Sequence, residues 1–148
     1  MRQKEKSSSL VFFFFYITSE VNIPFFNDGV KVGFSSPAED FDGTSIDLNK
    51  ELITNKSATF FARVKGNSMI EDGIEEGDVL IIDKSLEPID GKVAVCFIDG
   101  EFTVKKIKTD KNMVWLIPAN SQYSPIKITT ENNFLIWGIV TYVIKKMK

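Results

Sequence analysis

Short apolar runs that alternate with polar positions dominate the second half of the chain. The runs are rich in β-branched and aromatic residues, and Gly, Asp, Asn and Pro separate them, which is typical of strands joined by turns. They cover Thr59–Lys65, Val79–Asp83, Lys92–Ile98, Glu101–Ile107, Met113–Ile117 and Phe134–Ile144. This spacing predicts a compact, mostly antiparallel β fold.

The dipeptide Asp99-Gly100 separates two of these runs and is typical of a two-residue hairpin turn. The register that follows pairs Ile98 with Glu101, Phe97 with Phe102, Val95 with Val104, Ala94 with Lys105 and Val93 with Lys106. A small partner such as Ala94 leaves room for a functional side chain at Lys105. This geometry alone gives only a weak reason to prefer Lys105 or Lys106 as the functional side chain.

The first third of the chain has a different pattern. Residues 10–34 alternate aromatic clusters with breakers, which indicates an extended arm, and residues 35–45 resemble a loop. A short helix is predicted over Asp47–Ile53, with Ser45 or Asp47 as the N-cap.

The apolar run Leu10–Ile17 follows three basic residues and contains four consecutive phenylalanines. Its eight residues are too few for a bilayer, which needs about 20. No alanine-containing cleavage site of a signal peptide follows it. We therefore expect a β-prone segment that docks on protein, with no membrane contact. The absence of a disulfide framework favours the cytoplasm.

Composition excludes several kinds of site. The chain has no histidine and one cysteine, Cys96, so a Ser-His-Asp triad, a zinc site and an intramolecular disulfide are all excluded. No metal or cofactor is expected, and Cys96 is interpreted as core packing. The net charge of −2 argues against direct, sequence-specific DNA binding, which needs clustered Lys and Arg.

A serine and a lysine remain as candidates for catalysis. Ser68 follows Gly66, which permits close backbone approach, and it opens a turn whose N–H groups, at Asn67 and Met69, are candidates for an oxyanion hole. Met69 fits either a substrate cleft or the core. A lysine can act as a base near neutral pH only if burial lowers its pKa, so the base is expected within an apolar strand.

Several motifs resemble the LexA/UmuD family of self-cleaving serine peptidases. They are Gly33-Phe34-Ser35-Ser36-Pro37-Ala38, Ile46-Asp47-Leu48-Asn49, Gly66-Asn67-Ser68-Met69, Gly77-Asp78, Asp99-Gly100-Glu101-Phe102-Thr103-Val104-Lys105-Lys106, Leu116-Ile117-Pro118-Ala119-Asn120-Ser121 and Tyr123-Ser124-Pro125-Ile126. The resemblance implies a LexA/signal-peptidase-like β fold, with Ser68 as nucleophile and Lys105 as base. It also implies self-cleavage between Val32 and Gly33, which removes an arm of residues 1–32 from a catalytic domain of residues 33–148.

The resemblance further implies a function in SOS mutagenesis. A RecA filament on single-stranded DNA would stimulate the cleavage, and the shortened product would join a Y-family, UmuC-like DNA polymerase as a homodimer. A LexA-type repressor would need a helix-turn-helix domain, for which the 32 residues before the scissile bond are too few. A membrane-anchored signal peptidase would need a transmembrane segment, and the sequence shows none. A protein-interaction module that does not cleave itself is a further alternative.

The chain departs from the family at two places. Relatives often carry alanine or cysteine where this chain has the β-branched Val32, which is expected to slow cleavage or shift its position. Residues 1–20 match the family poorly, so the resemblance implies no function for the phenylalanine run.

Overall fold

A computed structural model describes residues 10–13, 20–26 and 43–148. The strands among these residues are β1 (Leu10–Phe13), β2 (Ile23–Pro24), β3 (Ser45–Ile46), β4 (Thr59–Val64), β5 (Val79–Asp83), β6 (Val93–Ile98), β7 (Glu101–Asp110), β8 (Met113–Ile117), β9 (Ile126–Lys127) and β10 (Phe134–Ile144). Eight of them form one sheet in the order β1-β4-β5-β10-β6-β7-β8-β9. Every neighbouring pair is antiparallel, so the predicted mostly β fold is confirmed.

The hairpin between β6 and β7 has the predicted register. Ala94 lies opposite Lys105 and Val93 lies opposite Lys106. Asp99 and Gly100 both adopt positive φ angles, 48° and 90°, as a two-residue turn of the type I′ class requires.

Strand β7 is longer than predicted, because it continues past Ile107 to Asp110. Asp110 pairs with Met113, and the turn between them uses Lys111 and Asn112 at φ angles of 47° and 65°. The prediction ended too early because residues 108–110 are polar and exposed. The hairpin extends beyond the core there, where ladder hydrogen bonds rather than apolar burial hold the strand.

The chain forms two compact units, residues 16–54 and residues 1–15 with 55–148. In the first unit, β2 pairs with β3, and the helix α1 (Leu48–Leu52) follows. The side chain of Asp47 accepts a hydrogen bond from the backbone N–H of Asn49 at 3.1 Å, so Asp47 rather than Ser45 is the N-cap. The expected cleavage site and domain boundary at Val32 and Gly33 lie outside the described residues.

The second unit contains the eight-stranded sheet and short 3-10 helices at Lys56–Ala58 and Ile70–Asp72. One buried cluster comprises Ala62, Val64, Met69, Ile74, Leu80, Ile82, Val95 and Val104. A second comprises Ala94, Cys96, Ile107, Leu116 and Ile139, so Cys96 packs in the core as expected. None of the helices in the described part of the chain is long and apolar enough to cross a membrane.

Strand β10 lies at the centre of the sheet, between β5 and β6, and its pairing is irregular on both sides. The register shifts between Ile136 and Gly138 against β6, and between Val140 and Tyr142 against β5. Such bulges bend a strand and increase its twist. Gly138 is needed at the first of them, because a Cβ there would come 2.5 Å from Cγ2 of the buried Ile82.

Gly138→Ala should therefore lower the free energy of unfolding by about 1–3 kcal/mol, since Ile82 cannot move out of the core without strain. Chemical denaturation measures the change. Leu135→Ala is the matched control, because Leu135 is an exposed residue of the same strand and should change the free energy by less than about 0.5 kcal/mol. Equal losses in the two variants would contradict the close packing at Gly138.

Candidate active site

Ser68 lies in a tight turn between β4 and the 3-10 helix Ile70–Asp72. Gly66 begins the turn with a φ angle of 90°, a left-handed conformation that favours glycine. Gly73 ends the helix in the same conformation, with a φ angle of 78°. The turn buries Ser68, which is only 1% exposed.

Strand β7 brings Lys105 to this serine. The two residues are 37 positions apart in sequence, yet Nζ of Lys105 lies 3.0 Å from Oγ of Ser68. Lys105 is 3% exposed, and its cross-strand partner is the small residue Ala94. The two side chains that the resemblance selects therefore form a buried, hydrogen-bonded pair.

Two further acceptors surround the lysine amine. Nζ donates to Oγ1 of Thr103 at 2.6 Å and to the backbone carbonyl oxygen of Val104 at 3.1 Å. All three partners of Nζ are neutral, and no ion pair between described residues includes Lys105. Within the described ranges, no carboxylate therefore forms an ion pair that would stabilise the charged form of this side chain.

This environment changes the acidity of the lysine. Burial lowers the pKa of Lys105 from its ordinary value of 10.5 to about 8, because the ammonium loses its hydration. The nearby Cys96 acts in the opposite direction on the Lys105 pKa. Burial raises the pKa of Cys96 itself to about 12, so that side chain is an uncharged thiol at neutral pH. A neutral Lys105 is consequently accessible near physiological pH.

The neighbouring Lys106 occupies a different environment. Its Nζ forms an ion pair with Asp72 at 3.0 Å, and 41% of its side chain is exposed. The environments of Lys105 and Lys106 therefore differ, although the hairpin register alone made the two lysines nearly equivalent candidates for the base.

The loop that follows β8 holds the serine turn in place. The side-chain amide of Asn120 donates to the backbone oxygen of Asn67 at 2.8 Å, and the hydroxyl of Tyr123 donates to Oδ1 of Asn67 at 2.9 Å. The backbone N–H of Ala119 donates to the carbonyl oxygen of Ser68, also at 2.8 Å. Three contacts from one loop therefore fix the backbone on either side of the Ser68 side chain.

Sequence reasoning assigned no role to Thr103, Asn120 or Tyr123. Strand alternation does place Thr103 on the same face of β7 as Lys105, two residues before it, but gives no reason to assign it a hydrogen bond to Nζ. Nothing local could have found Asn120 and Tyr123, which lie more than 50 positions from the turn that they contact.

The two expected oxyanion-hole or cleft residues differ in their environments. The Asn67 side chain is engaged by Tyr123. The Met69 side chain is 2% exposed and packs in the first buried cluster, with its sulfur 3.3 Å from the backbone nitrogen of Ala119. Within the described part of the chain, the backbone N–H of Met69 donates to no other group. It therefore stays a candidate donor for an oxyanion hole, as the sequence predicts.

Known proteins resemble the chain over most of its length. A family model described as Peptidase S24-like matches residues 24–141. Protein SamA of Salmonella typhimurium is 37% identical over 125 residues, which cover 84% of this chain and 86% of SamA. Protein MucA of Escherichia coli is 36% identical over 122 residues, which cover 82% and 83% of the two chains.

A repressor shares a smaller part. LexA repressor 2 of Pseudomonas syringae is 30% identical over 109 residues, which cover 70% of this chain but 54% of the repressor. The family model spans most of the chain and includes both Ser68 and Lys105. These matches confirm the resemblance to the LexA/UmuD family, and the chain belongs to the Peptidase S24-like family of serine peptidases.

Proposed function

We propose that this chain is a self-cleaving mutagenesis protein of the SOS response, acting in the cytoplasm. A RecA filament on single-stranded DNA stimulates cleavage of the chain's own Val32–Gly33 bond, and the product serves a Y-family, UmuC-like DNA polymerase as an accessory subunit. The observation that carries the proposal is the buried contact between Ser68 and Lys105, at 3.0 Å, in a member of a serine peptidase family.

The partners of Lys105 suit a neutral amine acting as a general base. A neutral amine has two N–H groups and one lone pair. The two N–H groups can donate to Thr103 and Val104, and the lone pair then accepts the hydroxyl proton of Ser68. Thr103 and Val104 in this way orient the lone pair towards the nucleophile.

The reaction proceeds through an acyl-enzyme. Oγ of Ser68 attacks the carbonyl carbon of Val32 while Lys105 takes the hydroxyl proton. Lys105 then gives this proton to the departing amine of Gly33, and an ester between Ser68 and Val32 remains. Water, deprotonated by Lys105, hydrolyses the ester and restores both side chains. We assign stabilisation of the oxyanion to the Met69 N–H, which donates to none of the described groups.

The tether between substrate and site supports self-cleavage over cleavage in trans. A segment of the same chain reaches a high effective concentration at the active site, roughly millimolar for short flexible links. Such a segment can be cleaved even when its sequence, with Val32 before the bond, is a poor substrate.

The second half of β10 supports a homodimer. Strand β6 pairs with β10 only as far as Ile139, whereas β5 pairs with β10 as far as Ile144. Along Tyr142–Ile144 one backbone edge is consequently without a partner strand among the described residues, and the side chains there are exposed. Two copies of this edge can pair antiparallel about a two-fold axis.

The masses of the cleavage products test the proposed reaction. Incubation with activated RecA filament should give two fragments whose masses place the cut between Val32 and Gly33. Ser68→Ala should give none, because the variant lacks the nucleophile while keeping the fold. Intact mass spectrometry measures both outcomes.

Two variants at the bond test its position. Gly33→Glu should block the reaction by crowding the attacking serine, whereas Val32→Ala should preserve or speed it. Cleavage of the Ser68→Ala chain at the wild-type rate would exclude the proposed nucleophile. A wild-type chain that is never cut would favour a protein-interaction module.

Self-cleavage without RecA should accelerate with pH. With a Lys105 pKa of about 8, about a tenth of the molecules carry the neutral amine at pH 7 and about nine tenths at pH 9. The rate should rise roughly ninefold over this interval and then level off. Lys105→Met should be inactive at every pH. A wild-type rate that does not change between pH 7 and 9 would contradict a lysine base.

The homodimer predicts twice the chain mass in sedimentation equilibrium. Val143→Lys should shift the chain towards the monomer, because the two-fold axis brings both new charges together. Leu135→Lys is the matched control, since Leu135 is exposed on the same strand but lies where β6 already covers the edge. If both variants remain dimers, a different surface must form the interface.

A further inference from the structure

The phenylalanine run begins in strand β1, which pairs with β4 in an antiparallel ladder. Leu10 lies opposite Val64, Val11 opposite Arg63, Phe12 opposite Ala62 and Phe13 opposite Phe61. β1 belongs to the same compact unit as the catalytic sheet, and residues 16–54 link it to the remainder of that unit. The proposed cleavage bond lies within this link.

The ladder covers an edge of the sheet. β4 is flanked by β5 on one side and by β1 on the other, and β1 is the last strand at that end. The backbone N–H and C=O groups of alternate β4 residues in this ladder face β1, whereas those of Val64 bond on the side of β5, to Asp78 and Gly77. Without β1, the groups that face it would form a sheet edge ready to pair with another strand. The core directly behind this edge contains Ala62 and Val64, which are buried.

We propose that β1 is a tethered cap on the edge of β4, and that cleavage of the link turns this cap into a dissociable peptide. The uncovered edge then accepts an extended partner segment in the antiparallel position that β1 vacates. This inference rests on the proposed function for the cut itself. It goes beyond that function by assigning a role to residues outside the family resemblance.

The loss of the tether is sufficient to release a four-residue strand. A segment that is covalently tethered beside its binding site experiences an effective concentration on the order of 1 mM. After cleavage, the fragment experiences only its own concentration in solution. In a 10 µM sample, the ratio of capped to uncapped molecules should therefore fall about 100-fold. A cap that is in place in about nine molecules of ten before the cut would then be in place in fewer than about one of ten.

The chemistry of β1 defines the segment that replaces it. Leu10–Phe13 is uncharged, branched and aromatic, and it pairs through backbone hydrogen bonds. Arg63 of β4 already bonds to the carbonyl oxygen of Gly77 at 3.0 Å. The expected partner is thus an extended, uncharged, aromatic-rich peptide that adds to β4 by strand addition.

The test cuts the link without using the chain's own active site. A full-length Ser68→Ala chain receives a tobacco etch virus protease recognition sequence in place of residues 28–34. After the cut, gel filtration at 10 µM should separate the N-terminal fragment from the remainder. Hydrogen exchange should become at least 10-fold faster at the β4 amides that face β1, and should stay unchanged in β7.

Proline substitutions in the uncut chain supply matched controls. Adjacent residues of a strand point their N–H groups in opposite directions, so only one of Val11 and Phe12 donates to β4. Proline at that residue should expose the β4 amides before any cut. Proline at the other residue should be tolerated, because its N–H lies on the solvent side of an edge strand.

The vacated edge is probed with a labelled peptide of residues 1–16. Fluorescence anisotropy should detect binding to the cut chain after the fragment is removed, and at least 10-fold weaker binding to the uncut chain. Equal binding to both chains would overturn the cap. A fragment that stays bound at 10 µM, or β4 amides that exchange equally fast before and after the cut, would also overturn it. Because an added protease makes the cut, failure of wild-type self-cleavage leaves this test intact.

Discussion

A buried lysine that forms no ion pair with the residues that the structure describes is the constraint on which the candidate site depends. The shift in the Lys105 pKa from 10.5 to about 8 corresponds to roughly 3 kcal/mol of preference for the neutral form. The folded state carries this cost in full below pH 8, and it disappears as the pH rises towards 10.5, because the unfolded chain binds the proton more tightly. The rest of the sheet must supply that stability.

The architecture meets this constraint by placing the lysine where few charges can reach it. β7 has β6 on one side and β8 on the other, and Lys105 shares its face with the apolar core residue Ile107. Alternation along the strand directs Lys106 to the opposite face from Lys105, where it forms an ion pair with Asp72. The same alternation keeps Thr103 beside Nζ, where a neutral hydroxyl orients the amine without restoring its charge.

The nucleophile depends on a different kind of support. Ser68 lies on an irregular turn rather than on a strand, and regular secondary structure does not fix its backbone. Contacts from Ala119, Asn120 and Tyr123 do so instead. Lys105 and Ser68 are therefore held in place for separate reasons, the lysine by a β ladder and the serine by the loop that follows β8.

The sequence by itself determined the strands with strong alternation, the Asp99-Gly100 hairpin and its register, because these depend on neighbours a few positions apart. The resemblance singled out Ser68 and Lys105. The tertiary structure decided the burial of Lys105, the outward position of Lys106, the contacts of Asn120 and the pairing of β1 with β4. Each of these depends on residues distant in sequence, and burial and its effect on a pKa exist only once those residues have come together.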